Sequence, residues 1–194
     1  CGITKEEMER VFHTEMDSMA EENGVSPEEM RRLLKEQYDG YHFSHKMTDI
    51  FNPFSVLNAL KLRTLADYWF KSGMPSYLIR LLNHTQENLN ELTGRFYDAS
   101  EFVDYRADVE RPLPMIYQSG YLTVKDYDSL TNTFLLDFPN NEVKRGFVTA
   151  VANNYLQSRT PVLSDMTQMV RSLAMSDLDA LKRQLTTFFA GIPY

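Results

Sequence analysis

Pro112-Leu-Pro-Met-Ile-Tyr-Gln-Ser-Gly-Tyr-Leu-Thr-Val-Lys-Asp-Tyr127, followed by Phe134-Leu-Leu-Asp-Phe-Pro-Asn-Asn-Glu-Val143, decides how the chain is read. Pro112 to Gln118 is an apolar run of one to two helical turns, and Ser119-Gly120 punctuates it. Tyr121, Leu122 and Val124 then face Phe134, Leu136 and Phe138, with the polar stretch Asp126 to Asn132 between them. This alternation predicts a β-hairpin over about 121–138. Asn140 follows as the cap of a helix. A short helix, a glycine turn and two strands is the layout of a winged-helix module, with Tyr121, Lys125 and Phe134 in the wing.

Working outward, the rest of the chain reads as helices. Thr4-Lys-Glu-Glu7 is a capping box, in which the Thr side chain serves one orphan N–H and the Glu reaches back to another. Met8, Val11, Phe12, Met16 and Met19 follow at helical spacing, and Gly24 ends the helix. Ser26-Pro27-Glu28-Glu29 restarts one, with an N-cap, proline at the first position and acids in the first turn. Met30, Leu33, Leu34 and Tyr38 form its inner face. Gly40 breaks the chain within Tyr38-Asp-Gly-Tyr-His-Phe43 by taking a conformation that other residues resist. Asn52-Pro53 opens another helix, with Phe54, Val56, Leu57, Leu60 and Leu62 inward. Leu65, Tyr68, Trp69 and Phe70 mark a further run closed by Ser72-Gly73, and Pro75 opens one with Tyr77, Leu78, Leu81 and Leu82. Residues 84–98 are polar. Ala99 to Tyr105 is a short helix, and Val143, Phe147, Val148, Val151 and Tyr155 line a long one. After a loop at Pro161, Met166, Met169, Val170 and Leu173 mark a helix, and the last begins at Ser176. The fold class is mainly α: a multi-helix bundle carrying one short hairpin.

The composition bounds the function. A chain of 194 residues with 43% hydrophobic and 24% charged residues buries a sizeable core. The net charge of −7 disfavours a phosphate backbone as partner. A single cysteine, Cys1, builds neither a disulfide framework nor a cysteine zinc site, which points to a reducing, cytoplasmic setting. No apolar run reaches the length that spans a bilayer, so no membrane partner is expected. The chain starts without an initiator Met, just before a helix, and ends abruptly at Gly-Ile-Pro-Tyr194, which reads as a piece of a longer protein.

No stretch assembles a catalytic constellation, and no catalytic, cofactor-binding or metal residue is assigned. None of the eight glycines is followed by lysine, so no phosphate-cradling loop is present. Phe134-Leu-Leu-Asp137 imitates an apolar strand ending in a magnesium-binding acid, but the hairpin reading makes it a strand with one outward acid. His42-Phe-Ser-His45 with Asp49 offers donors at loose metal spacing within a turn, where a structural role is the better reading. Glu28-Glu29 suits a helix start better than an acid–base pair, and Ser119 lacks the Gly-x-Ser-x-Gly elbow. The helix Arg111 to Gln118 carries one basic residue and Pro114, a poor reader of DNA.

Several blocks resemble a known family. Tyr38-Asp-Gly-Tyr-His-Phe-Ser44, Phe51-Asn-Pro-Phe-Ser-Val-Leu57, Tyr68-Trp69 with Ser72-Gly73 and Leu78, Tyr117-Gln-Ser-Gly-Tyr-Leu-Thr-Val124 and Phe138-Pro-Asn-Asn-Glu-Val143 are similar, in order, to the C-terminal part of AAA-ATPase-like proteins of Bacteroidetes. Gly2-Ile-Thr4 with Glu6-Glu7 resembles the segment after the ATPase core, and Ala190-Gly-Ile-Pro-Tyr194 the join to a PD-(D/E)XK nuclease-like domain. Gln37 stands where that family has Trp. The resemblance implies a P-loop ATPase core upstream, using ATP and Mg²⁺, and a nuclease-like domain downstream. The family's ATP-site and nuclease motifs match nothing here, so no catalytic residue carries over.

Together these readings divide the chain into a helical region at 1–63, a winged-helix-like module at 64–157 and a helical linker at 158–194. They make it a non-catalytic lid and winged-helix-like segment packed on its own ATPase core, with a nucleic-acid-binding module as the alternative. The turn Tyr38, Asp39, Gly40 and Tyr41 is the expected contact with that core.

Overall fold

The computed structural model describes residues 2–43, 46–71, 92–103, 112–156 and 162–190. The helix expected from Pro75, the Ser72-Gly73 boundary, His45, Arg111 and the loop at Pro161 lie outside them. The fold is mainly α, with short antiparallel strands. By contacts the chain forms two compact units, Cys1–Gly146 and Phe147–Tyr194.

The first unit opens with β1 (Ile3–Thr4) and α1 (Lys5–Asn23). The capping box at Thr4 and Glu7 forms in both directions, and Gly24 closes α1 in the left-handed conformation. Ser26 accepts the Glu29 N–H at the start of α2 (Pro27–Tyr38), as its side-chain chemistry dictates. β2 (Ile50–Phe51) pairs with β1, and Tyr41 bridges Ile50 on the other side. Asn52 then caps α3 (Pro53–Leu62), accepting the Phe54 and Ser55 N–H groups. Met8, Met16, Met19, Met30, Leu34, Tyr38, Phe51, Val56 and Leu60 form one buried cluster. Four positions expected inward are exposed instead: Val11, Phe54, Leu57 and Leu62. On α3 the buried face runs through Ser55, Val56, Ala59 and Leu60, so the apolar pattern there is wider than the face that meets α1 and α2.

Leu65 precedes a short α4 (Tyr68–Lys71) rather than belonging to it. β3 (Arg95–Asp98) runs into α5 (Ala99–Phe102), whose start is a second capping box made by Asp98 and Glu101. α6 (Leu113–Gln118) ends in the Ser119-Gly120 turn, with Gly120 at φ 80°. The hairpin is there, as β4 (Thr123–Asp128) and β5 (Thr133–Asp137). Its strands run further toward the turn than the sequence pattern implied, so only residues 129–132 turn, but they stop short at the root, where Tyr121, Leu122 and Phe138 lie outside them. Asp128 accepts the Leu130 N–H and the Thr131 hydroxyl, which tightens that turn. β5 lies between β4 and β3, so the hairpin belongs to a three-stranded antiparallel sheet that the polar 84–98 stretch did not announce. α7 (Asn141–Leu156) begins immediately after it.

The second unit begins within α7 at Phe147 and contains α8 (Val162–Ala174) and α9 (Leu178–Ala190), packed on one another across a tight turn. The last helix does not start at Ser176, which sits at φ 56° and cannot be helical. Asp177 is the cap instead, accepting the Ala180 N–H at 2.9 Å.

Candidate functional site

The turn after α2 meets the root of the hairpin, and of the residues singled out from the sequence Asp39, Gly40 and Lys125 come together there. The chemistry of this joint begins with a β-bulge. Val124 pairs with Leu136 and Asp126 with Leu135, leaving Lys125 as the extra residue. A bulge re-aims the side chain it carries. Lys125 accordingly turns inward, where its ammonium donates to the carbonyls of Gly40 (2.9 Å) and Pro139 (2.8 Å). Burial holds its pKa below the usual lysine value, and the charges of Asp49, Asp137 and Asp39 offset this only in part. It is not a cation displayed on a wing.

Gly40 makes this approach possible. Its φ is 91°, and a Cβ there would strike the Pro139 carbonyl oxygen and stand 2.8 Å from the Lys125 Nζ. Asn140 ties the same two segments. Its Nδ2 donates to the Asp39 carbonyl at 3.0 Å, while its Oδ1 accepts the Val143 N–H at 3.1 Å and so caps α7. Thr123 adds a reciprocal pair, accepting the His42 N–H at 2.8 Å and donating its hydroxyl to the His42 carbonyl at 3.0 Å. The His42 ring spans Val124 O (2.6 Å, through Nδ1) and Asp49 Oδ1 (2.7 Å, through Nε2). A carbonyl only accepts, so Nδ1 carries a hydrogen. Both ring nitrogens are therefore committed to protein partners. Lys35 holds the other Asp49 oxygen at 2.9 Å. Burial works to raise the Asp49 pKa, but the hydrogen bonds from Lys35 and His42 outweigh it and hold the carboxylate below its usual range.

Asp39 differs from its neighbours. The residue is 2% exposed, and neither carboxylate oxygen accepts a well-formed hydrogen bond. Burial raises its pKa, and the adjacent Gly40 N–H gives only partial relief. It lines a polar cleft of about 650 Å³ whose charged walls include Lys35, Asp49, Lys125 and Asp137.

A second recess of about 490 Å³ is aromatic, with Tyr41, Phe43, Phe51, Trp69 and Tyr117 on its walls. Asn52 hydrogen-bonds the Tyr41 hydroxyl, and burial, followed by the Glu142 charge, raises that hydroxyl's pKa. Phe43 lies parallel to Tyr41 and is 72% exposed. Of the candidate turn, Tyr38 and Asp39 are buried, while Gly40 and Tyr41 are part-exposed. Tyr38 is committed to the core, donating to Ala66 O and accepting the Ala66 N–H. The wing candidates are also packed inward. Tyr121 sits under Trp69 at 5.3 Å between ring centres, and Phe134 meets Tyr127 and Phe102 at 4.9 and 5.8 Å.

Sequence reasoning missed Glu142, which reads as an ordinary first-turn acid. It is fully buried, and its Oε1 accepts the Trp69 N–H at 2.7 Å, joining α7 to α4. Burial raises its pKa, against the pull of the Ser55 hydroxyl and the Trp69 N–H. Gln37, the departure from the family pattern, donates to Asp67 at 2.9 Å. Among the described residues no group of three or more His, Cys, Asp or Glu is placed to hold a metal. No described helix is long and apolar enough to cross a membrane.

These features define a mainly α chain in which an antiparallel hairpin is fastened at its root to a helical turn. No protein-family profile matches the chain, and no solved structure does. It is similar to an uncharacterised protein in the vnfD 5′ region of Azotobacter chroococcum mcd 1, with 27% identity over 201 residues. The similarity covers all of this chain and 36% of that protein, so the chain spans about a third of the relative's length.

Proposed function

We propose that the chain is the non-catalytic lid and winged-helix-like segment of a larger, cytoplasmic AAA-type ATPase, packing on the ATPase core and linking it to a nuclease-like domain. The observation that carries this reading is the joint itself. Lys125, Asn140 and the Thr123–His42 pair fasten the turn after α2 to the hairpin root, so a push on one reaches the other without slack. Such a joint suits a segment that transmits the state of a neighbouring core. In the whole protein ATP and Mg²⁺ belong to that core. The relative's extra length supports the view of a segment within a longer polypeptide.

Within the turn, Tyr41 with the adjoining Phe43 is the side available to the core, since Asp39 faces inward. ATP hydrolysis by the whole protein, compared with the isolated 194-residue chain, tests the reading: activity is expected in the first alone. Phe43→Asp is expected to lower that activity several-fold while leaving the chain's melting temperature within 2–3 °C, roughly a surface substitution's effect. Nucleotide binding by the isolated chain, or unchanged activity in the variant, counts against it. The alternative, a nucleic-acid-binding module, is weakened by the inward turn of Lys125 and by the charge of −7.

A further inference from the structure

The α8–α9 hairpin leaves much of its apolar surface open. Met169, Leu181 and Phe188 are half-buried, Ser172 is buried, and the Gln184 Oε1 is buried with no hydrogen-bond partner. Meanwhile Met166, Val170 and Leu173 recur along α8 at i, i+4 and i+7, and Leu178, Leu185 and Phe189 recur along α9 at i, i+7 and i+11. All six are exposed, with Leu173, Leu178 and Phe189 at 60%, 66% and 63%. No residue of α9 is fully buried. At about 100° per residue, these positions form an apolar sector on each helix that stays exposed with α8 and α9 packed on one another. A four-helix bundle, where every helix touches two others, would cover such a sector.

We propose that this face is a self-association surface, and that two copies of the chain join hairpin to hairpin in a four-helix bundle. The area supports a second copy as occupant. Six such side chains, each releasing on the order of 100 Å² on full burial, expose roughly 340 Å² of apolar surface per copy. A specific homodimer needs about 800 Å² per partner, some 65% of it apolar, so the stripe supplies most of the apolar core and its polar flanks the rim. The chemistry is self-complementary, since a leucine, methionine and phenylalanine stripe is best covered by another of the same kind. This inference is independent of the ATPase reading.

Sedimentation equilibrium of the 194-residue chain, with reductant present to keep Cys1 from cross-linking, tests it. A reversible dimer in the micromolar range is expected. Leu173→Glu and Leu185→Glu, both at exposed positions, should raise the dimer dissociation constant at least 100-fold with the far-ultraviolet circular dichroism unchanged. Leu57→Glu, on the separate exposed face of α3, should leave it unaltered. A monomer at 100 µM, roughly tenfold or more above the expected constant, overturns the proposal. So does a dimer that survives both hairpin variants, or one abolished by Leu57→Glu. Should the two glutamate variants lose helicity, a Val170→Cys chain that also carries Cys1→Ser supplies the second reading: an intermolecular disulfide that forms without reductant supports the bundle, and its absence overturns it.

Discussion

Gly40 and Asp39 adjoin in sequence but carry opposite energetic signs. At Gly40 the left-handed backbone and the facing Pro139 carbonyl both exclude a side chain. Gly40→Ala is therefore expected to lower stability by about 2 kcal/mol or more, from backbone strain plus the displaced contact, measured by urea unfolding. At Asp39 the folded state raises the pKa above its unfolded value of about 3.9. Its contribution is then fully present below about pH 4 and is lost as pH rises through the folded value. Asp39→Asn should accordingly be more stable than the parent at pH 7, with the advantage fading as pH falls and gone below about pH 4; an advantage that grows toward acid contradicts the assignment. The glycine was legible because a helix stop followed by Asp-Gly-Tyr demands an unusual backbone. The burial of Asp39 was not, because nothing within the turn tells which way it faces; Asn140, 101 residues later, decides that.

Elements whose causes are local were read closely. The caps at Thr4, Ser26 and Asn52 all form as written, since each needs only a side chain and an N–H two or three residues away. β3 was missed because Arg-Phe-Tyr-Asp is too short to show alternation, and its pairing with Leu135 and Leu136 lies some forty residues distant. The bulge was missed for a related reason. Period-two alternation places Lys125 outward, and only the extra residue opposite Leu135 and Leu136 reverses it. That reversal has a measurable weight. Lys125→Met retains the aliphatic stem and deletes the ammonium, leaving the Gly40 and Pro139 carbonyls without their donor. A loss of about 1–3 kcal/mol is expected in thermal unfolding, the cost of unsatisfied acceptors.

Across the whole molecule, apolar pattern located the helices but overstated what is buried. Val11, Phe54, Leu57 and Leu62 fit an apolar helical face and are nonetheless exposed, because only geometry says how wide a face its neighbours cover. Of the candidate residues, Asp39, Gly40 and Lys125 meet at the joint, whereas Tyr38 is bonded to Ala66, Tyr41 lines the aromatic recess, and Tyr121 and Phe134 pack on other rings. The assembly of the joint was not legible, because it rests on contacts between segments far apart in the chain. The methionine-rich core of α1, α2 and α3 closes within about the first 60 residues, whereas Lys125 reaches Gly40 across 85. Closing a loop that long is entropically costly until other contacts have formed, so the joint should be made late, after the helical core has collapsed. The clamp is then absent from the folding transition state. Lys125→Met should speed unfolding by nearly the full stability loss, while the refolding limb of the chevron stays where it was. Lys125 would thus act on how long the native state lasts rather than on how quickly it is reached.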